Sequence, residues 1–271
     1  MLSRRTLLIG TASLAATAAR ASRHVLPVAA TTSIADSGLG RWLAERYEAL
    51  TGVELVILSN PSEQAALSAA DGRAPVAIVN HPGVAANLVA SGVATNAQPF
   101  MSNGLVIAGP RDDPARIAGM SDAAEALRTV ARVKARFVSR ADGSGTYAAE
   151  LRLWSAARMS PPINRAGYIQ ANMGMRRTID LAVAEAAYVL TDRATWLAQE
   201  RHGDLTVLVE GLPELDNKYF LLRIPAAAEE PRRAALAERF EAWLLSDAGQ
   251  RDIAAFRVGG VAPFVPLALR N

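Results

Sequence analysis

The feature that most constrains the fold is an alternation of short apolar runs with longer amphipathic stretches. Apolar runs occupy residues 24–28, 53–58 and 76–79, and stretches with helical spacing lie between them at 40–50 and 63–70. Short apolar runs are typical of buried strands, and a 3.6-residue period is typical of helices that cover a sheet. This order of strands and helices predicts an α/β fold in which a mainly parallel sheet is flanked by helices.

A second block of the same kind follows and predicts a second lobe. Its helices are predicted at 122–133, 146–157 and 175–185, and its strands at 135–138, 168–169, 188–190 and 205–209. Glycine, proline and aspartate residues at 109–114 break regular structure and suit a crossing and a hinge between lobes. The last strand and two helices, within 219–256, can return to the first lobe. We therefore predict lobe 1 at 24–107 plus 220–271 and lobe 2 at 108–219, with a cleft between them.

Residues 1–21 have the pattern of a signal peptide. Ser3, Arg4 and Arg5 begin a twin-arginine-like head, and an apolar core followed by small residues runs to about Ala19. The apolar stretch is shorter than the roughly 20 residues that cross a bilayer. We expect a cleaved leader and a periplasmic mature protein.

Charge and cysteine content exclude several classes of protein. The formal charge of the chain is +3, but three cations fall in the leader, at Arg4, Arg5 and Arg20, so the remainder is close to neutral. Without an overall positive field we expect no nucleic-acid partner. The chain has no cysteine, which rules out disulfides and thiolate metal sites.

The most informative segment is the turn before the helix predicted at 146–157. It carries Arg140, Ser144, Gly145 and Thr146. Glycine lets backbone N–H groups approach a ligand, hydroxyls add donors, and a helix N-terminus adds unpaired N–H groups. Arg140 adds a charged fork of donors suited to oxyanion oxygens. The turn favours an anion site; the alternative is that Ser144 or Thr146 only caps the helix and Arg140 is solvated.

Other chemistries have little support in the spacing. Gly143, Gly145 and Ala148 match Gly-x-Gly-x-x-Ala, but no strand with an acidic end follows, as a dinucleotide site requires. Asp142 stands where a nucleophile elbow around Ser144 needs glycine. The histidines are isolated in sequence and indicate neither a metal site nor a catalytic base: His24, His81 and His202. We expect no cofactor, no metal and no enzymatic activity.

A second polar cluster lies between the first strand and the first helix. Thr31, Thr32 and Ser33 are followed by Asp36 and Ser37. A loop after a strand of a parallel sheet lies at the edge where ligands usually bind. For Asp36 and Ser37, capping of the helix is at least as good an interpretation.

These segments resemble the substrate-binding proteins of tungstate-type ABC transporters, a branch of the type II periplasmic binding proteins. The string at 31–39 is similar to the first ligand loop of that family, and 137–146 is similar to its Phe-Val-Ser-Arg-x-Asp-x-Ser-Gly-Thr segment, followed by Glu150, Leu151 and Trp154. Matches at 168–169, 173–175, 187–193 and 208–211 follow in the same order. The resemblance spans nearly all of the chain beyond the leader.

The resemblance implies a two-lobed fold that holds an oxyanion between hydroxyls, amides and one guanidinium. The residues that it places on the anion are Thr32, Ser33, Arg140, Ser144 and Thr146. Three further positions complete the predicted ligand-binding set because they lie in matched segments or replace a family threonine: Ser62, Gly145 and Gly174. The chain departs from the family at Glu63, Asn80, His81 and Asn172, which leaves the identity of the anion open.

We therefore expect a solute-binding protein that captures tungstate, with molybdate next, for an ABC transporter. The resemblance implies a permease as partner, contact with the membrane through that permease only, and a monomer. Two other classes stay open. One is an exported enzyme or accessory factor that acts on a small organic anion through Asp142, Glu63 or a histidine. The other is a sensor that passes its closure to a membrane kinase.

Overall fold

The computed structural model describes residues 24–228 and 230–268, so the predicted leader at 1–21 lies outside the described residues. The strands, in chain order, are β1 (His24–Thr31), β2 (Val53–Asn60), β3 (Val76–Val79), β4 (Gln98–Ser102), β5 (Leu105–Pro110), β6 (Phe137–Ser139), β7 (Tyr168–Gln170), β8 (Tyr188–Asp192), β9 (Leu205–Val209), β10 (Lys218–Arg223) and β11 (Val265–Pro266). The helices are α1 (Thr32–Asp36), α2 (Leu39–Thr51), α3 (Ser62–Ala70), α4 (Pro82–Ala90), α5 (Ala123–Arg132), α6 (Gly145–Ala156), α7 (Met175–Ala184), α8 (Arg193–Ala198), α9 (Pro231–Leu245) and α10 (Asp247–Ala255).

Two sheets form two lobes, as the sequence predicts. The lobe 1 sheet has the order β11-β4-β10-β3-β1-β2, and the lobe 2 sheet has the order β7-β6-β8-β5-β9. In lobe 1, β1 runs parallel to β2 and β3, and in lobe 2, β6 runs parallel to β7 and β8. The carboxyl ends of these parallel strands face the cleft, and the segments that follow them carry the predicted ligand residues.

Both sheets are mixed, which corrects the expectation of mainly parallel pairing. The strand β10 pairs antiparallel with β3 and β4, and β5 pairs antiparallel with β8 and β9. The reason is that β5 and β10 each begin where the chain has just entered a lobe from the cleft. A strand that begins at the cleft edge of a sheet runs antiparallel to neighbouring strands that end at that edge.

The chain crosses between the lobes at 103–104 and again at 216–217, since Leu212 and Leu215 still pack in lobe 2, and these positions differ from the predicted boundaries. All of β5 belongs to lobe 2, so the boundary between 107 and 108 falls inside a strand. The two crossings lie side by side, because the backbone N–H of Asn103 donates to the carbonyl of Asn217 over 3.0 Å.

The prediction of a hinge at 109–114 is wrong because those breakers form a turn within lobe 2. The Tyr188 hydroxyl donates to Asp113 Oδ1 at 2.7 Å and accepts from the backbone N–H of Ala115 at 2.8 Å. Ala115 and Ile117 then join the buried apolar cluster of lobe 2. This turn is therefore anchored to the lobe and does not join it to the other one.

Each sheet buries apolar side chains on both faces. In lobe 1 the larger cluster combines strand residues with Phe240 and Trp243 of α9, which confirms that the C-terminal helices return to the first lobe. In lobe 2 the larger cluster packs Phe137 of β6 against Trp154 of α6, together with apolar residues of α5. No helix among the described residues is long and apolar enough to cross a membrane.

We expect Tyr188→Phe to destabilise the protein by about 1–3 kcal/mol, because it leaves the buried N–H of Ala115 without an acceptor. The matched control is Tyr47→Phe, since the buried Tyr47 hydroxyl has no hydrogen-bond partner within the described part of the chain. Its loss should leave the free energy of unfolding unchanged or slightly higher. Urea denaturation measures both. Equal destabilisation by the two substitutions would contradict the assigned role of Tyr188.

Candidate functional site

The turn between β6 and α6 presents lobe 2 to the cleft. Ser144 is the N-cap of α6, and its hydroxyl oxygen accepts from the backbone N–H of Tyr147 at 3.2 Å. Gly145 and Thr146 form the first turn of the helix and are buried. The capping interpretation of Ser144 is thus confirmed. A serine that caps a helix through its hydroxyl oxygen still has its hydroxyl proton, so it can cap the helix and also donate a hydrogen bond to a ligand.

Arg140 lies where the two lobes meet and is only 3% exposed. Its Nε donates to Asp142 Oδ2 at 2.9 Å, and one terminal nitrogen donates across the cleft to Thr32 Oγ1 at 3.1 Å. Asp142 also accepts from the backbone N–H of Ser144 at 3.2 Å, which fixes the turn. The interpretation of Arg140 as a solvated surface residue is therefore wrong. Two of the five donor hydrogens of the guanidinium serve these bonds.

The loop after β1 presents lobe 1 to the same space. Thr32 and Ser33 begin the short helix α1, and the Ser33 hydroxyl shares a 2.7 Å hydrogen bond with the Tyr219 hydroxyl. The turns that carry Thr32 and Arg140 therefore face one another, as the sequence predicts. Lobe 1 adds hydroxyls here without adding a cation.

Ser62 lies behind this loop and is fully buried. Its hydroxyl donates to Asn80 Oδ1 at 2.8 Å and lies 3.2 Å from Thr31 Oγ1. In this conformation the hydroxyl is engaged within lobe 1. Direct contact between Ser62 and a guest stays a prediction.

Gly174 is the N-cap of α7 and is exposed. Its helix contacts α1 of the other lobe, which places Gly174 at the rim of the cleft. The glycine has open space around its α-carbon. A ligand contact from Gly174 also stays a prediction.

Glu63 joins the two lobes through its backbone. Its N–H donates to the carbonyl oxygen of Gly143 over 3.1 Å, and its side chain packs on the same glycine. A negative side chain thus lies beside the turn that carries Arg140. It is part of the closed interface and not an isolated acid-base group.

Two carboxyl groups that the sequence did not single out as ligand residues shape the electrostatics of the site. Asp192 is fully buried and caps α8; it accepts from the backbone N–H of Thr195 at 2.9 Å and from Asn103 Nδ2 at 2.8 Å. Burial raises the pKa of Asp192, while these bonds and the charge of Arg140 oppose the rise. Burial and repulsion from Asp192 also raise the pKa of Asp36.

The hydrogen bonds at the base of the cleft join residues far apart in sequence, which is why sequence reasoning missed them. Asn103 and Asp192 are separated by 89 positions, and Asn80 and Asn217 by 137. Asn80 was visible only as a departure from a family pattern. Asp192 lies in the segment 187–193 that matches the family pattern, but nothing there indicates a bond to Asn103, and no local signal marks Asn103 or Asn217. Among the described residues, no cluster of three or more His, Cys, Asp or Glu side chains could hold a metal ion.

Glu150 fixes the root of the ligand turn from inside lobe 2. It is 2% exposed and accepts from Ser139 Oγ at 2.8 Å, Trp154 Nε1 at 3.0 Å and the Tyr168 hydroxyl at 2.6 Å. Ser139 is the residue before Arg140, so these bonds tie the end of β6 to α6 and β7. Burial raises the pKa of the Glu150 carboxyl, and the three hydrogen bonds oppose that rise.

Comparison with known proteins points to one family. Residues 15–248 match the model of the PBP superfamily domain. A tungstate-binding protein TupA from Peptoclostridium acidaminophilum is 31% identical over 82% of this chain and 78% of its own length. The structure of the tungstate-binding protein TupA from Desulfovibrio alaskensis G20 is 35% identical with a TM-score of 0.78, over 91% of this chain and all of that one. The structure of the tungstate ABC transporter from Geobacter sulfurreducens is 33% identical with a TM-score of 0.78, over 86% of this chain and 98% of that one.

We expect Glu150→Gln to change how stability depends on pH. Because folding raises the pKa of Glu150, its contribution to stability is fully present below its ordinary value of 4.5 and is lost as the pH rises through the folded value. Glutamine does not titrate and avoids this loss. The free energy of unfolding of the variant, relative to wild type, should therefore increase as the pH rises above 4.5.

Urea denaturation across that range makes the measurement, with Glu48→Gln as the control at an exposed site. A difference between Glu150→Gln and wild type that stays constant with pH would contradict the expectation.

Proposed function

Because this chain belongs to the PBP superfamily, we propose that it is an extracytoplasmic solute-binding protein that captures a tetrahedral oxyanion for an ABC transporter. Tungstate is the proposed preferred anion, and molybdate is next. Relatives that match most of the chain are named as tungstate-binding proteins or as a tungstate ABC transporter. We propose that this chain likewise acts as a binding protein and not as an enzyme.

The single observation that carries the proposal is the cleft with Arg140 buried between two polar turns. The Arg140–Thr32 hydrogen bond of 3.1 Å brings a guanidinium from lobe 2 against the hydroxyl loop of lobe 1. Such a space offers a charged fork, hydroxyls and helix N-terminal amides to one small guest.

Binding would stabilise the closed arrangement of the lobes. A guest that contacts both turns binds the closed form more tightly than the open one and shifts the population towards it. No bond is made or broken in this step. The leader at 1–21 supports periplasmic export, and a permease that recognises the closed form is the proposed partner.

The proposed ligand contacts are Thr32, Ser33, Arg140, Ser144, Gly145 and Thr146, with Ser62 and Gly174 in supporting positions. Arg140 carries the only positive charge among them. Asp142 already pairs with that charge at 2.9 Å. Most of the binding energy is therefore expected from hydrogen bonds of neutral donors, each stronger in a site from which water is excluded.

We expect Arg140→Ala to weaken tungstate binding at least tenfold, about 1.4 kcal/mol, because it removes the charged fork and leaves Asp142 unpaired beside the anion. Isothermal titration with tungstate, molybdate, sulfate and phosphate makes the measurement. The control is Arg132→Ala, which removes an exposed arginine of α5 in lobe 2.

Unchanged tungstate affinity in Arg140→Ala would contradict the assigned site. Absence of binding of all four anions to the wild type would contradict the proposed function.

A further inference from the structure

The two lobes are in close contact at Gly145, which has no side chain to separate its backbone from the other lobe. A methyl group built on Gly145 of lobe 2 would lie 2.5 Å from the backbone oxygen of Asn80 in lobe 1, and closer still to the carboxamide oxygen of Asn80. Atoms cannot approach so closely, so the glycine backbone already lies against Asn80. Gly145 has no positive φ that would itself demand glycine. The need for glycine here is therefore one of space between the lobes.

Asn80 is held rigidly from its own side of the cleft. Its Oδ1 accepts from Thr31 Oγ1 at 3.0 Å and from Ser62 Oγ at 2.8 Å, and its Nδ2 donates to Asn217 Oδ1 at 3.2 Å. The side chain is 4% exposed. Rotation of the carboxamide would break all three bonds in a buried setting, at a cost of about 1–3 kcal/mol for each group left unpaired. The Asn80 side chain therefore cannot move aside easily, and we call its contact with Gly145 the stop, because it limits how closely the lobes approach.

The stop lies next to the proposed donors of both lobes. Gly145 is adjacent to Ser144 and Thr146, and Asn80 is bonded to Thr31, which precedes Thr32. The distance between the two sets of donors in the closed form is thus limited by the contact between Gly145 and Asn80. Packed interiors deform little, so this distance does not adjust freely to each guest.

We propose that Asn80 selects which size of oxyanion binds, because it limits how far the lobes can close. This inference rests on the proposed function. Tungstate and sulfate are both tetrahedral dianions, but the S–O bond is shorter than the W–O bond. Equal charge makes the electrostatic contributions similar, so the ratio of their affinities reports size. A stop that holds the donors at the tungstate distance leaves sulfate with stretched hydrogen bonds.

Two substitutions on opposite lobes test the stop in opposite directions. Asn80→Ser removes the carboxamide oxygen, which is the nearest part of the contact, while the backbone oxygen of residue 80 stays. The lobes should then close slightly further, and the affinity for sulfate relative to tungstate should rise by at most about tenfold. Gly145→Ala adds a methyl group to the stop, so the same ratio should fall about tenfold. Asn87→Ser, the same change at an exposed position of α4, is the control and should leave the ratio at the wild-type value.

Isothermal titration with sulfate and with tungstate gives the ratio for each protein, and thermal melts verify folding. If Asn80→Ser fails to fold, Gly145→Ala still tests the inference, because alanine is favoured over glycine within a helix. Equal weakening of both anions in these variants would overturn the inference and leave the proposed function intact. A wild-type protein that binds neither anion would overturn both.

Discussion

The site depends on the cost of burying one guanidinium. An arginine removed from water must find partners, and Arg140 finds one anionic partner in its own turn and one hydroxyl on the other lobe. The partner Asp142 neutralises the charge before any guest arrives. In the proposed function the cleft therefore holds an anion without being strongly cationic, and we expect selectivity to come from the placement of hydrogen-bond donors.

The same bond makes the closed form a property of both lobes. Arg140 reaches Thr32, Glu63 reaches Gly143, and Gly145 lies against Asn80, so three contacts from different elements define one relative position. The chain passes between the lobes only at two short segments, which bond to each other through Asn103 and Asn217. Closure about such a narrow connection needs few backbone changes, and a guest that touches both turns can bias it.

Much of the fold could be predicted because long periodic segments carry their own signal. The helices α2, α5, α6, α7, α9 and α10 and most strands lie where the apolar pattern places them. The short helices α1 and α8 were not predicted, since five or six residues are too few to show a 3.6-residue period. The prediction of a hinge at 109–114 was wrong because glycine and proline mark a turn but do not indicate which lobe the turn packs on.

At the site, local chemistry singled out the turn from Arg140 to Thr146 and the loop at Thr32 and Ser33. Their meeting across a cleft was implied by a resemblance and is present in the structure. Local chemistry did not indicate the network of Asn80, Asn103 and Asp192. Asn80 and Asp192 stand in segments that were compared with the family pattern, but each looks like an ordinary polar residue there. Only long-range pairing makes these side chains buried and bonded.

By itself the sequence determined the α/β class, the two lobes and the polar turns that end in helices, because those depend on periodicity and on chemistry within about ten residues. Tertiary structure alone decided where the chain crosses, that the sheets are mixed, and that Gly145 lies against Asn80. The physical reason is that strand direction and distances between lobes arise from packing between residues far apart in the chain, and no local pattern encodes them.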